Sequence, residues 1–259
     1  MKILVTFAVE PEFAPFHKLR DWEAHRAGEI TLHRARIGRA MVDVIVTGMG
    51  AANATAATEA ALTASSDYTN CISSGFCGSL KAELQVGDIL AARSVRDART
   101  NKILQCSSGV AAHAVSDGAK YAAAFISCVE IAATAEDKAR LAPFADAVDL
   151  ESYAVLFTAK KHGISGGAIR VVSDRFDQDM PVDFSTTVDD QGNVRIGGVL
   201  KQVALHPIRI PALIRLGRES KTAAQGLANF LEGYVKKISF TTHGSQPFAD
   251  LAAARHQLK

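Results

Sequence analysis

Cysteine is scarce: the chain has four, Cys71, Cys77, Cys106 and Cys128, with no CxxC or paired-ligand spacing. In 259 residues that pattern excludes a disulfide scaffold and reads as buried or half-buried thiols in a reducing compartment. Charge of one sign is not in excess either. The formal net charge is +2, without a basic patch or stripe, which argues against a nucleic-acid partner. No run of about eighteen uncharged apolar residues occurs, so no membrane span is expected. The opening MKILVTFAVE is too short, and too soon interrupted by Glu10, to read as a signal sequence, so a cytoplasmic location is expected. The histidines are dispersed, with no HxxxH or HExxH, which argues against a metal site. GxSxG is missing, which removes the serine nucleophile elbow.

What is present is a globular composition: 48% hydrophobic and 22% charged residues, enough for a sizeable core in one domain, with or without an appendage. Residues 2–9 form a β-prone run, 30–37 alternate apolar and polar, and 42–47 resume as a strand. Gly48-Met49-Gly50 then opens AANATAATEAALTA, an alanine-rich stretch of strong helix propensity. Strands are expected at 71–74, across QVGDILAARSV and at 169–173, and helices at 149–162, 199–205 and 211–236. Residues 97–124 show little period. Strands alternating with helices predict an α/β layered fold. Residues 1–238 are expected to form one domain, with 185–238 a helical extension and 239–259 a flexible tail.

In an open α/β sheet, ligands gather beyond the carboxyl ends of the strands. Three strand ends carry distinctive residues: VEPE after the first, GMG before the alanine-rich helix, and Ser173-Asp174 after the last. GMGAANA is not a dinucleotide fingerprint, because Asn53 stands where the third glycine belongs and the first strand leads to no glycine at all. SSGFCGSL lacks the Lys-Ser/Thr of a triphosphate loop. Glu10 and Glu12 around Pro11 read equally as a helix start and as carboxylates at a strand-to-helix junction. Glu151 can be a first-turn helix residue, and Asp174 can be a cap. Spacing alone leaves these alternatives open.

Taken together, MKILVTFAVEPEF, VTGMGAANA, SSGFCGSLKAELQVGDIL, VDLESYA and IRVVSDRFDQDMPVDF resemble the nucleoside phosphorylase superfamily, in particular its methylthioadenosine/S-adenosylhomocysteine nucleosidase branch. The resemblance implies a three-layer α/β/α sandwich with a central mixed, mostly parallel sheet, and cleavage of an N-ribosidic bond without metal or cofactor. It implies that Asp174 protonates the purine N7, that Glu12 polarises the attacking water, and that Glu151 accepts hydrogen bonds from the ribose hydroxyls. Leu150 would lie beside the sugar, and Val9, Met49, Phe76 and Phe184 would line the pocket. Gly75 and Gly78 would shape its floor and Ser173 would orient Asp174. The expected substrate is a 5′-substituted adenosine, and the expected assembly a homodimer or larger homo-oligomer.

The sequence departs from that branch in several places. Phe76-Cys77 replaces a small hydroxyl residue, Leu150 stands where methionine is usual, and the purine-binding segment is represented only by SCVEIAAT. The region after Phe184 resembles the tail of hopanoid-associated phosphorylases. Leu205, Ile208, Ile210, Leu213 and Ile214, interleaved with Arg209 and Arg215, could cover an apolar substrate or a membrane surface, or simply pack as core helices. That resemblance makes phosphorolysis of adenosylhopane the alternative reaction and phosphate the alternative nucleophile. A nucleoside-binding protein without turnover is a third reading. Arg20, Arg36, Arg39 and Arg93 are available for phosphate, but none falls in a recognisable phosphate-binding stretch.

Overall fold

The computed structural model describes residues 1–181 and 210–241. The N-terminal apolar run forms β1 (Lys2–Phe7), flanked in parallel by β4 (Ala40–Val46) and β5 (Asn70–Ser79). An antiparallel meander of β2 (Glu23–Ala27), β3 (Ile30–Ile37) and β4 closes that edge. β5 is the spine of the sheet. Its whole length pairs in parallel with β12 (Ser165–Asp174), and its last residues pair antiparallel with β11 (Ala147–Asp149). From β11 the sheet continues through β10 (Phe125–Ser127), β7 (Ser94–Asp97) and β8 (Ile103–Gln105). β6 (Ile89–Ala92) lines the other side of β12 and carries β9 (Lys120–Ala122).

Period-2 alternation sends β1 side chains into two separate cores. Ile3, Val5 and Phe7 face α1 (Glu10–His17), α3 (Ser108–Ser116) and the long α6 (Ile210–Thr241), together with Ile169 and Val171 of β12. Leu4 shares the opposite core with α2 (Ala51–Ala64), α5 (Ser152–Lys161) and Ala168 and Val172. The result is the expected three-layer sandwich with a mixed sheet. α6 buries Ala223, Leu227, Leu231 and Val235 on one stripe, at the spacing of an amphipathic helix. Each buried leucine of that stripe contributes about 1.5–3 kcal/mol. A short helix, α4 (Ala135–Leu141), precedes β11 and starts from a Thr134–Asp137 capping box.

Several boundaries differ from the sequence reading. β5 runs to Ser79 because its Gly- and Ser-rich half pairs with β12 as far as Gly78 and, at Gly78 and Ser79, with β11, which overrides weak strand propensity. QVGDILAARSV is two strands, broken at Arg93. α5 begins at Ser152, since Asp149 still belongs to β11. The helix expected at 211–236 is α6, which runs on to Thr241, so residues 239–241 are helical. The helix expected at 199–205, and Leu205, Ile208 and Arg209 with it, lie outside the described residues. Ile210 and Ile214 are exposed at the start of α6. Among the described residues, no helix is long and apolar enough to cross a membrane.

Candidate active site

A cavity of about 260 Å³ opens at the carboxyl ends of β1, β5 and β12, just below the range usual for drug-sized ligands. Val9, Glu12, Met49, Phe76, Gly78, Leu150, Glu151, Ser173 and Asp174 line it. Gly75 stands behind it, against Glu12. Phe184 lies outside the described residues. The wall is mostly apolar, with Ile131 and Ala132 from the SCVEIAAT segment, Met180 from the loop after β12 and Leu216 and Ser220 from α6.

Glu12 is the third residue of α1, and its carboxylate turns back over the strand-to-helix junction. Oε2 accepts from the backbone N–H of Ala8 (2.7 Å) and Val9 (3.1 Å), and Oε1 from that of Phe76 (2.7 Å). The helix-start reading and the cavity reading are therefore both true: an N3 glutamate folds back on the cap and still faces the cavity. Burial pushes its pKa up, opposed by the positive charge of Arg170 and by the three amides.

Glu151 caps α5 but makes no side-chain cap bond. Its Oε1 accepts from Gly50 N–H (2.9 Å) at the start of α2 and its Oε2 from Arg170 (3.2 Å). GMG thus presents an amide and a positive helix end to a carboxylate of the same chain. Burial raises Glu151 to about 7, against the pull of Arg170 and with help from Asp149 and Glu12.

Arg170, the one charged residue in the expected strand at 169–173, is the hub of the site. It is 1% exposed. Its Nη2 donates to Ser73 Oγ (3.1 Å) and Glu151, and its Nη1 to Phe76 O (2.9 Å). Nε lies 3.0 Å from Asp149 Oδ2 but aims its hydrogen at Ser152 Oγ (3.0 Å), so Asp149 is held by charge. Burial works against the guanidinium charge, and Asp149, Glu151 and Glu12 outweigh it. A charged residue inside a buried apolar run was the available signal, because such a charge persists only when paired.

Asp174 ends β12 just past a bulge. Val172 pairs with Cys77 and Asp174 with Gly78, leaving Ser173 as the extra residue that re-aims the chain. Ser173 Oγ donates to Asp174 Oδ1 (2.7 Å) and touches Cys77 O (3.3 Å). The other oxygen, Oδ2, is ion-paired with Lys138 of α4. Lys138 is 0% exposed and also donates to Arg175 O (2.6 Å) and Gln178 O (3.0 Å). No sequence pattern marked it.

The arginines considered for phosphate do not reach the cavity. Arg20 binds Glu232 and the carbonyl of Arg36, and Arg39 stacks on Phe240.

A sequence model of the phosphorylase superfamily matches residues 2–144, more than half of the chain. The chain belongs to the phosphorylase superfamily. It is thereby an enzyme of the nucleosidase and nucleoside phosphorylase kind. The matched stretch of this superfamily member contains Glu12, Phe76 and Lys138 and stops before Glu151, Arg170 and Asp174. No curated protein matches it in sequence. Among solved structures it is similar to a futalosine hydrolase mutant of Helicobacter pylori, with TM-score 0.69 and 20% identity over 92% of this chain and 99% of that one. It is also similar to the methylthioadenosine/S-adenosylhomocysteine nucleosidase of H. pylori bound to butyl-thio-DADMe-Immucillin-A (0.71, 19%, 92% and 98%). The Campylobacter jejuni nucleosidase gives 0.70 and 15% over 92% and 99%. At these identities the likeness is one of fold.

Proposed function

We propose that this member of the superfamily hydrolyses the N-ribosidic bond of a 5′-substituted adenosine and releases adenine. One observation carries the reading: Glu12, Glu151 and Asp174, far apart in the chain, line one cavity. Cleavage passes through a sugar cation, which carboxylates placed near the ribose stabilise. In this reading Asp174 gives a proton to N7, water polarised by Glu12 adds to C1′, and Glu151 accepts from the ribose hydroxyls. Burial makes the Glu12 carboxylate a stronger base than an exposed one, which suits it to take the water proton. The solved relatives include a nucleosidase of H. pylori with 5′-methylthioadenosine in its active site, which supports the substrate class.

Water is favoured over phosphate by the amides around Glu12. An oxyanion needs donors such as backbone N–H groups and arginines. Here the N–H groups of Ala8, Val9 and Phe76 are already spent on the Glu12 carboxylate, and Arg170 is spent on Asp149 and Glu151. A second anion would meet that carboxylate instead of a donor set.

The test is a panel of 5′-methylthioadenosine, S-adenosylhomocysteine, adenosine, inosine, futalosine and adenosylhopane, with and without phosphate, read as free base. Adenine and free sugar without phosphate are expected. Strict dependence on phosphate, with a sugar 1-phosphate product, would overturn hydrolysis in favour of phosphorolysis. Binding without cleavage of any member would overturn the catalytic reading.

A further inference from the structure

Resting on that reaction, we propose that Lys138 is a positioning residue for the departure of the base, acting through Asp174. Three contacts use the three N–H bonds of its ammonium: the Asp174 carboxylate, Arg175 O and Gln178 O. With Ser173 on Oδ1 and Lys138 on Oδ2, the plane of the carboxyl group is fixed at both ends. The same ammonium ties that group to the loop that brings Met180 into the cavity. The loop is held independently at Met180 N–H, which donates to Ala133 O (2.7 Å), and at Asp179, which accepts from Ala135 N–H (2.8 Å).

The position of Lys138 matters because of what proton transfer leaves behind. In the proposed reaction the substrate complex carries a proton on Asp174. As the C1′–N9 bond breaks, its electron pair goes to the base, and that proton, which the neighbouring Lys138 ammonium makes easier to give up, moves to N7. The water oxygen bonds to C1′ and its proton passes to Glu12, so atoms and charge balance across the step. Asp174 ends as a carboxylate in a dry setting, and the Lys138 ammonium lies where that negative charge develops. Fixed charge aimed at developing charge lowers a barrier without reorganisation. A buried lysine placed only for packing would have no such link to the leaving group.

The experiment compares two ribosides. 5′-Methylthioadenosine needs its base protonated, whereas 4-nitrophenyl β-D-ribofuranoside loses a phenolate that departs unaided. Lys138→Met is expected to lower kcat for the nucleoside by about 10²-fold, the lower bound for general-acid effects, with KM changed far less. The ratio of nucleoside to aryl riboside rates should fall by at least about 30-fold, most of that loss. Lys138→Arg should recover part of the ratio. The aryl riboside rate also reports whether the site has assembled. If the methionine variant does not fold, Lys138→Gln, which keeps two donors without the charge, carries the comparison.

Equal loss on both substrates would assign Lys138 to structure alone and overturn the proposal. Asp174→Asn separates the two levels: if it lowers the ratio and Lys138→Met does not, the acid role stands and the Lys138 proposal falls. If neither variant changes the ratio, or the wild-type chain cleaves neither riboside, the underlying reading falls and this proposal with it.

Discussion

Gly75 leaves the space that the Glu12 carboxylate occupies. A Cβ at position 75 would lie 2.5 Å from Oε1 and 2.7 Å from the carboxyl carbon, and the backbone there has φ +126°. Glu12 cannot give way cheaply, since three amides hold it. Gly75→Ala is therefore expected to displace Glu12 and lower turnover on the order of 10²-fold, the scale of a lost general base. Steady-state kinetics check this, and near-normal turnover would show that Glu12 tolerates displacement.

Arg170→Met should destabilise the fold by about 3–5 kcal/mol, the cost of leaving buried charges without their partner. Combining it with Glu151→Gln should recover part of that loss, because one of the stranded carboxylates is removed. Urea unfolding of the four members of this cycle measures the coupling. Strict additivity would mean that Glu151 does not depend on Arg170.

The pH dependence of stability carries the signature of Glu151. Its folded value, about 7, lies above the ordinary 4.5 because burial penalises the charge. Between those values the folded chain binds a proton that the unfolded chain does not. The contribution of this group is thus fully present below pH 4.5 and is lost as pH rises through about 7. Glu151→Gln should flatten the decline of Tm over that window. Identical slopes in both proteins would contradict the burial argument.

Asp174→Asn is expected to cost stability as well as turnover. As a simple cap at a strand end, Asp174 would be replaced by Asn with little effect on folding. The structure pairs it with a fully buried lysine, and a buried ammonium without its counter-charge is expensive. A drop in Tm that Lys138→Met partly reverses in the double variant would confirm the pairing, and an unchanged Tm would refute it.

The strands that lead to Glu12 and Asp174 were readable because β1 is a continuous β-prone run and β12 an apolar run ending in Ser-Asp. Glu151 was readable as a residue at a helix start. The site residues drawn from these stretches, Glu12, Leu150, Glu151, Ser173 and Asp174, meet at one cavity. What escaped detection was short or non-local. β10 and β11 have three residues each, too few for any period to show. α4, AEDKARL, is mostly charged, yet its buried residue is the lysine. Nothing within seven residues can reveal a carboxylate 36 positions away. Arg170 was more legible, because a lone cation in an apolar strand requires partners.

β5 meets two of the acids directly, and the third through Arg170, at neighbouring positions. Phe76 N–H grips Glu12, Phe76 O holds the guanidinium that reaches Glu151, and Gly78 lies against Asp174. A slip of one residue between this strand and β12 would reverse which face each side chain meets. Asp174 and Arg170, the residue that holds Glu151, would then both lose their places at once. Mispaired molecules should therefore be silent, not promiscuous, and the active fraction of a preparation should report directly how many chains have found the correct alignment.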